Sequence, residues 1–209
     1  MKYIIKGSEP QELTDFKALS SDEWTPSYSN LDKPTKTAIK KALMEEQGYI
    51  CCYCERTLSE DDSHIEHFKP QSDTDVDPLD FSNMLCSCQK NVKKGDPLHC
   101  GNSKGDWFDN SLLVSPLQTD CENKFGFKGD GTIYAIEDNN AAAKTIENLS
   151  LDIGKLNSLR ESAIEPFLDA SLTDEELINF IEAYLSKNDS SKYEPFQTTI
   201  QHLFSEMVA

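Results

Sequence analysis

Six of the seven cysteines of this 209-residue chain fall between residues 49 and 110, in a stretch rich in turn residues and poor in periodicity. A stretch of that kind cannot hold itself together by apolar burial, so a cross-link or a metal ion has to do it. The opening MKYIIKGSEPQEL has no apolar run followed by small residues, so no secretory leader is expected. Nor does any apolar run approach the roughly 18–20 residues that span a bilayer. The expected compartment is the cytoplasm, where disulfides are rare and clustered cysteines point to metal. Cys51 and Cys54 form a C-x-x-C, a spacing that lets two thiolates face one ion from a tight turn. Tetrahedral zinc wants four ligands, and Cys86, Cys88 and Cys100 are the candidates for the second pair. A redox reading of C-x-x-C lacks the strand–turn–helix context that a thioredoxin-like motif requires.

The flanks are more regular. DKPTKTAIKKALMEEQGY reads as a helix, with Pro34 in its first turn, Ala38, Ile39, Ala42 and Leu43 on one face, and Gly48 as its stop. NKFGFKGDGTIYAIED reads as a hairpin around a Gly-Asp-Gly turn. Beyond it Leu156, Leu159, Ala163, Ile164 and Phe167 recur at helical spacing until Pro166 ends or kinks the helix. Thr173 and Glu176 form a capping box for a helix burying Leu177, Ile178, Phe180, Ile181, Tyr184 and Leu185. A last helix carries Phe196, Ile200, Leu203, Phe204 and Met207. The expected class is α+β. Residues 1–48 form a lead-in segment and helix, 49–136 a metal-stapled core with the hairpin, and 137–209 an acidic helical region.

The segment HIEHFKP, residues 64–70, carries the chemistry. Hydrolysis of a phosphodiester needs a base for water and a divalent cation for the phosphate and departing oxygen. His67 can take a proton near neutral pH, and Glu66 offers a hard oxygen to Mg²⁺ or Mn²⁺. In CGNSKG, Asn102 offers a further metal ligand and Lys104 a phosphate contact. Asn83, in FSNML, could tie the loop bearing the base and orient His67. Taken singly, these are ordinary surface and turn residues. Their succession, C-x-x-C, Glu-His-x-x-Pro, Asn, Cys and Cys-x-Asn-x-Lys, is not something packing asks for.

The succession CCYCERTL, HIEHFKP, FSNML and CGNSKG resembles the HNH endonucleases, a ββα-metal fold with an attached four-cysteine zinc site. The resemblance implies His67 as general base, Glu66 and Asn102 as ligands of the catalytic ion, and Asn83 as the residue that holds the loop. It also implies Cys51, Cys54, Cys88 and Cys100 as the zinc ligands. The insert QKNVKKGDPLH between Cys88 and Cys100 departs from many such proteins, so Cys86 competes with Cys88, and His64 and His99 compete as metal or phosphate contacts. IIKGSEP, EQGYICCYCE, DCENKFGFKGDGTIY and TIENLSLDIGKLNSLRESAI are similar to the HNH subunits (PtuB) of Septu-type anti-phage systems, closest to the form that accompanies retrons. That resemblance implies an ABC/SMC-like ATPase partner (PtuA), and in retron forms a reverse transcriptase with its RNA–DNA product.

Charge fits a dependent nuclease. The net charge is −17, and residues 137–189 hold twelve Asp/Glu against four Lys/Arg. Residues 88–104 carry Lys90, Lys93, Lys94 and Lys104 against Asp96 alone, a basic island on an acidic body. Such a chain repels polyanions in bulk and would lean on a partner's cationic surface. The acidic C-terminal helices are the expected docking element. The competing expectation is a zinc-stabilised, non-catalytic adaptor; a free-standing nuclease toxin is disfavoured by the acidity.

Overall fold

The computed structural model describes residues 1–207; Val208 and Ala209, which fall in the expected last helix and acidic region, lie outside them. In chain order the elements are α1 (Gln11–Ala18), α2 (Lys33–Glu46), β1 (Ser63–His67), β2 (Met84–Cys88), α3 (Gly101–Lys104), β3 (Phe125–Phe127), β4 (Ile133–Ala135), α4 (Asn140–Asn148), α5 (Gly154–Ile164), α6 (Asp174–Leu185) and α7 (Gln197–Phe204). The class is α+β. β1 pairs antiparallel with β2, placing Glu66 opposite Leu85 and His67 opposite Met84, and β3 pairs antiparallel with β4. No helix among the described residues is long and apolar enough to cross a membrane.

α2 is the spine behind the first hairpin. The Asp32 carboxylate accepts from Thr35 N at 2.7 Å, Pro34 sits in the first turn, and Thr35, Ile39, Leu43 and Met44 are buried. The helix gives way at Gln47 and Gly48, the latter at φ 62°. Gln47 then stitches the turn to β2: its amide donates to the carbonyls of Ile50 and Cys86, both at 2.9 Å, and its carbonyl accepts from Cys86 N at 2.7 Å. One apolar core runs from Met1 through Leu43, Met84 and Leu85 to Leu156, while Ile164, Phe167, Ile181 and Ile200 form a smaller one under α6 and α7.

The expected hairpin is present as β3 and β4, and α6 carries the expected capping box. Two burial expectations shift. In α6 only Ile181 is fully buried, and Phe180 stays exposed while stacking on Phe167 at 4.4 Å. In α5 Leu159 is exposed and Arg160 is buried, its guanidinium donating to the carbonyls of Gly131 and Leu151 and to the Asn157 side chain. A buried guanidinium is tolerated when its donors meet acceptors in this way.

Candidate metal centre and active site

Cys51, Cys54, Cys88 and Cys100 converge, with their sulfurs all within 4.8 Å of one another and all four residues buried. The C-x-x-C turn supplies two, the end of β2 supplies Cys88, and Cys100 caps the one-turn helix α3 with a left-handed φ of 56°. Four convergent thiols are a donor set that fits a tetrahedral metal ion. Burial opposes ionisation of the Cys54 thiol, yet hydrogen bonds from Cys100 and Cys88 bring it down to about 7. His99, wholly buried, lays Nδ1 3.1 Å from the Cys100 sulfur, the kind of outer contact that orients a thiolate ligand. Cys86 and Cys121 lie outside the cluster, and burial pushes both thiols up to about 12.

β1 carries the second set of groups. Alternation along a strand puts residues i and i+2 on one face. His64 and Glu66 therefore share a face, with His64 Nε2 3.6 Å from Glu66 Oε2. The other carboxylate oxygen, Oε1, takes the Lys104 ammonium at 3.0 Å and the Tyr53 hydroxyl at 3.2 Å. Burial would raise the Glu66 carboxyl, but His64 and Lys104 outweigh it and hold the group below its ordinary value, so it is ionised. The α3 backbone closes this face at Gly101. A methyl group there would overlap Glu66 Oε2 and lie 2.9 Å from His64 Nε2. Gly101 thus lets the α3 backbone come close to the carboxylate and the imidazole, and a carboxylate oxygen with an imidazole nitrogen suits a divalent ion.

His67 is on the opposite face, against the edge of Tyr28 with ring centroids 4.6 Å apart. Its Nε2 is 2.9 Å from Pro78 O, an acceptor only, so Nε2 carries the proton and Nδ1 keeps its lone pair. Burial holds the imidazole below its ordinary value and keeps it neutral. Asn83 clamps the following loop, its side chain accepting from Lys69 N at 2.8 Å and donating to Lys69 O at 2.9 Å, while Phe68 N donates to Asn83 O.

The Asn102 amide nitrogen donates to Gln89 O at 2.6 Å, tying α3 to the residue after β2. The Lys104 ammonium is 3% exposed and spends its three donors on Glu66 Oε1, His67 O at 2.9 Å and Gly105 O at 3.4 Å, leaving none for a phosphate. Tyr53 and Tyr28 were not singled out from the sequence, where nothing marks either. His64 was noted there as a competing contact, and strand alternation in HIEH is the signal that pairs it with Glu66.

No family model matches this chain. Two curated proteins named "putative HNH endonuclease" do. That of retron Vc95, from Vibrio cholerae serotype O1 biovar El Tor, is 30% identical over 172 residues, covering 78% of this chain and 82% of the relative. The chain belongs to the HNH endonuclease family. The protein of that name from retron Ec83 of Escherichia coli is 28% identical over 208 residues, covering 80% of each chain. The β1–β2 hairpin and α3 form the ββα unit of the HNH fold, with the four-cysteine cluster binding its two halves together.

Proposed function

We propose that this chain is a metal-dependent endonuclease hydrolysing phosphodiester bonds of nucleic acid, with His67 as general base and Glu66 and His64 as holders of the catalytic ion. The observation that carries the reading is the pairing of one carboxylate oxygen with one imidazole nitrogen, Glu66 Oε2 and His64 Nε2 at 3.6 Å, beside the α3 backbone at Gly101. Mg²⁺ or Mn²⁺ bound there would supply positive charge to the scissile phosphate and the departing oxygen, and the imidazole donor favours Mn²⁺.

The remaining roles belong to side chains of the protein. His67 takes the proton of the attacking water at Nδ1, its Nε2–H being tied to Pro78 O. Asn83 holds the loop that follows the base. Lys104 acts as a positioning residue, fixing Glu66 through Oε1 and leaving Oε2 for the ion. Asn102, expected as a ligand, holds Gln89 in this reading. Cys51, Cys54, Cys88 and Cys100 hold Zn²⁺ in a structural site.

The names of the two relatives support a place among retron-associated nucleases; in our reading this chain is the nucleolytic effector of an anti-phage complex. Its expected partners are an ABC/SMC-like ATPase (PtuA), and a reverse transcriptase with its RNA–DNA product. The net charge of −17 supports weak affinity of the chain alone for nucleic acid at ordinary ionic strength, with a partner strengthening substrate capture. Truncating residues 170–209 is a poor test of docking, because Thr198 N donates to Glu55 Oε2 at 2.8 Å beside the cysteine turn. Charge reversals at Glu175 and Glu182, both exposed on α6, test it without unlatching that contact.

The deciding experiment compares wild type with His67→Ala, each assayed for cleavage, metal content and partner co-purification. Retained metal and partner with cleavage down by about 10²–10⁴ supports the reading. Cleavage at the wild-type rate overturns His67 as base. A wild type that cleaves nothing, alone or with partner, returns the chain to the adaptor reading.

A further inference from the structure

A cleft of about 440 Å³ opens between α2 and β1, with Lys33, Lys36, Lys40 and Lys90 on its walls and Tyr28 and His64 among its lining. Three of the lysines come from one stripe of α2, at spacings of three and four residues, and the fourth from the loop that leaves the cysteine cluster after Cys88. No acidic side chain lines it. Most lysines elsewhere that face an acid are spoken for, as in Lys6–Glu46, Lys17–Glu9 and Lys124–Asp120. Among the described residues none of these four has a carboxylate within 4.0 Å; Lys40 donates to Glu60 O and Lys36 lies over the Tyr28 ring. Four uncompensated cations facing one cleft on a chain of net charge −17 form a local exception to its field.

We propose that this cleft is the track for the sugar–phosphate backbone of the nucleic-acid strand to be cut. The inference rests on the nuclease reading for its direction, because the cleft reaches the candidate centre at two residues. His64 is a wall of the cleft and also lies 3.6 Å from Glu66 Oε2, and Tyr28 is a wall of the cleft and packs on His67. A strand whose phosphates follow Lys33, Lys36 and Lys90 is brought to His64, at the edge of that centre. An acidic protein segment lying in the same place would cover His64, so continuity with the centre favours a substrate over a docking partner. Lys93 and Lys94, exposed on the same loop as Lys90, extend the basic rim outward.

The test is fluorescence anisotropy with labelled DNA and RNA strands and the full chain, at low ionic strength and without added catalytic ion. The cleft variant is Lys33→Gln/Lys36→Gln/Lys90→Gln. A control triple, Lys128→Gln/Lys155→Gln/Lys187→Gln, removes the same charge from exposed positions outside the cleft. The expected result is binding weakened by about tenfold or more in the cleft variant alone, with its log K against log [salt] slope shallower by about two units, given roughly 0.7–0.9 per phosphate contact. Equal loss in the two triples, no detectable binding by the wild type, or displacement of the probe by polyglutamate as readily as by unlabelled DNA would overturn the proposal. His67→Ala separates this inference from the function it rests on. Normal binding with lost cleavage supports both, whereas unchanged cleavage by His67→Ala beside a binding defect in the cleft triple sinks the base assignment and keeps the track.

Discussion

Gly101→Ala probes the candidate centre with one methyl group. The backbone at residue 101 is helical, so alanine is acceptable there and gains about 1 kcal/mol in helix propensity over glycine. Against that, the new methyl overlaps Glu66 Oε2 and stands 2.9 Å from His64 Nε2. The carboxylate cannot swing freely, because Lys104 and Tyr53 hold Oε1 at 3.0 and 3.2 Å. Overpacking a buried site costs about 1–3 kcal/mol, so the net loss of stability is about 0–2 kcal/mol, and the protein stays folded. Function should suffer far more. Restoring ordinary contact needs a carboxylate shift of about 1 Å, and a misplacement of that size costs on the order of 10²-fold in rate. The assay is Mn²⁺-dependent cleavage together with Mn²⁺-induced thermal stabilisation, with Asn102→Ala measured in parallel. The expected pattern is loss of both responses in Gly101→Ala and near-wild-type metal response in Asn102→Ala. The reverse pattern would refute the assignment of His64 and Glu66 as the pair that fronts the ion.

Four further outcomes are expected. The His67 imidazole is held below its usual value of 6.5 by burial. Cleavage should therefore persist below pH 6.5 and fall only as pH drops through the lowered value, as a pH–rate profile will read. The same depressed group contributes stability that is present above 6.5 and lost as pH falls through the folded value, so His67→Ala should flatten that part of the stability curve. Removing Lys104 as Lys104→Met strands the buried Glu66 carboxylate, at a cost of about 3–5 kcal/mol in denaturant unfolding; a cost under about 1 kcal/mol would contradict the buried pair. Cys88→Ala should lose the structural ion in elemental analysis, whereas Cys86→Ala, a buried thiol outside the cluster, should keep it.

Much of the molecule could be read from residues alone, and the failures have local causes. Asp32, Pro34 and Gly48 mark α2, and Thr173 with Glu176 mark the start of α6, because caps are short-range chemistry. The pair Cys88 and Cys100 came from resemblance, since a choice between Cys86 and Cys88 depends on how β2 ends against the cysteine turn. Nothing in the sequence marks Gly101, because glycine bears no ligand. Its importance is steric and shows only when β1 is laid beside α3. Arg160 reads as part of a polar face, and nothing local announces that Gly131 O and Leu151 O wait for it. Lys104 looks like a free cation in CGNSKG until Glu66 arrives from 38 positions earlier.

The segment 90–98 is exposed throughout, yet it leaves and re-enters the fold beside two anchored sulfurs, Cys88 and Cys100. Gln89 fastens its neck, donating to Pro97 O at 3.0 Å and accepting from His99 N at 2.9 Å. Beyond that neck one further tie holds the excursion, Asn91 donating to Asp62 Oδ1 at 3.2 Å and to Asp61 O at 2.6 Å just before β1. A longer or shorter excursion beyond Asn91 would leave the two sulfurs and the hairpin in register, whereas its charge is tied through Lys90 to the cleft beside His64.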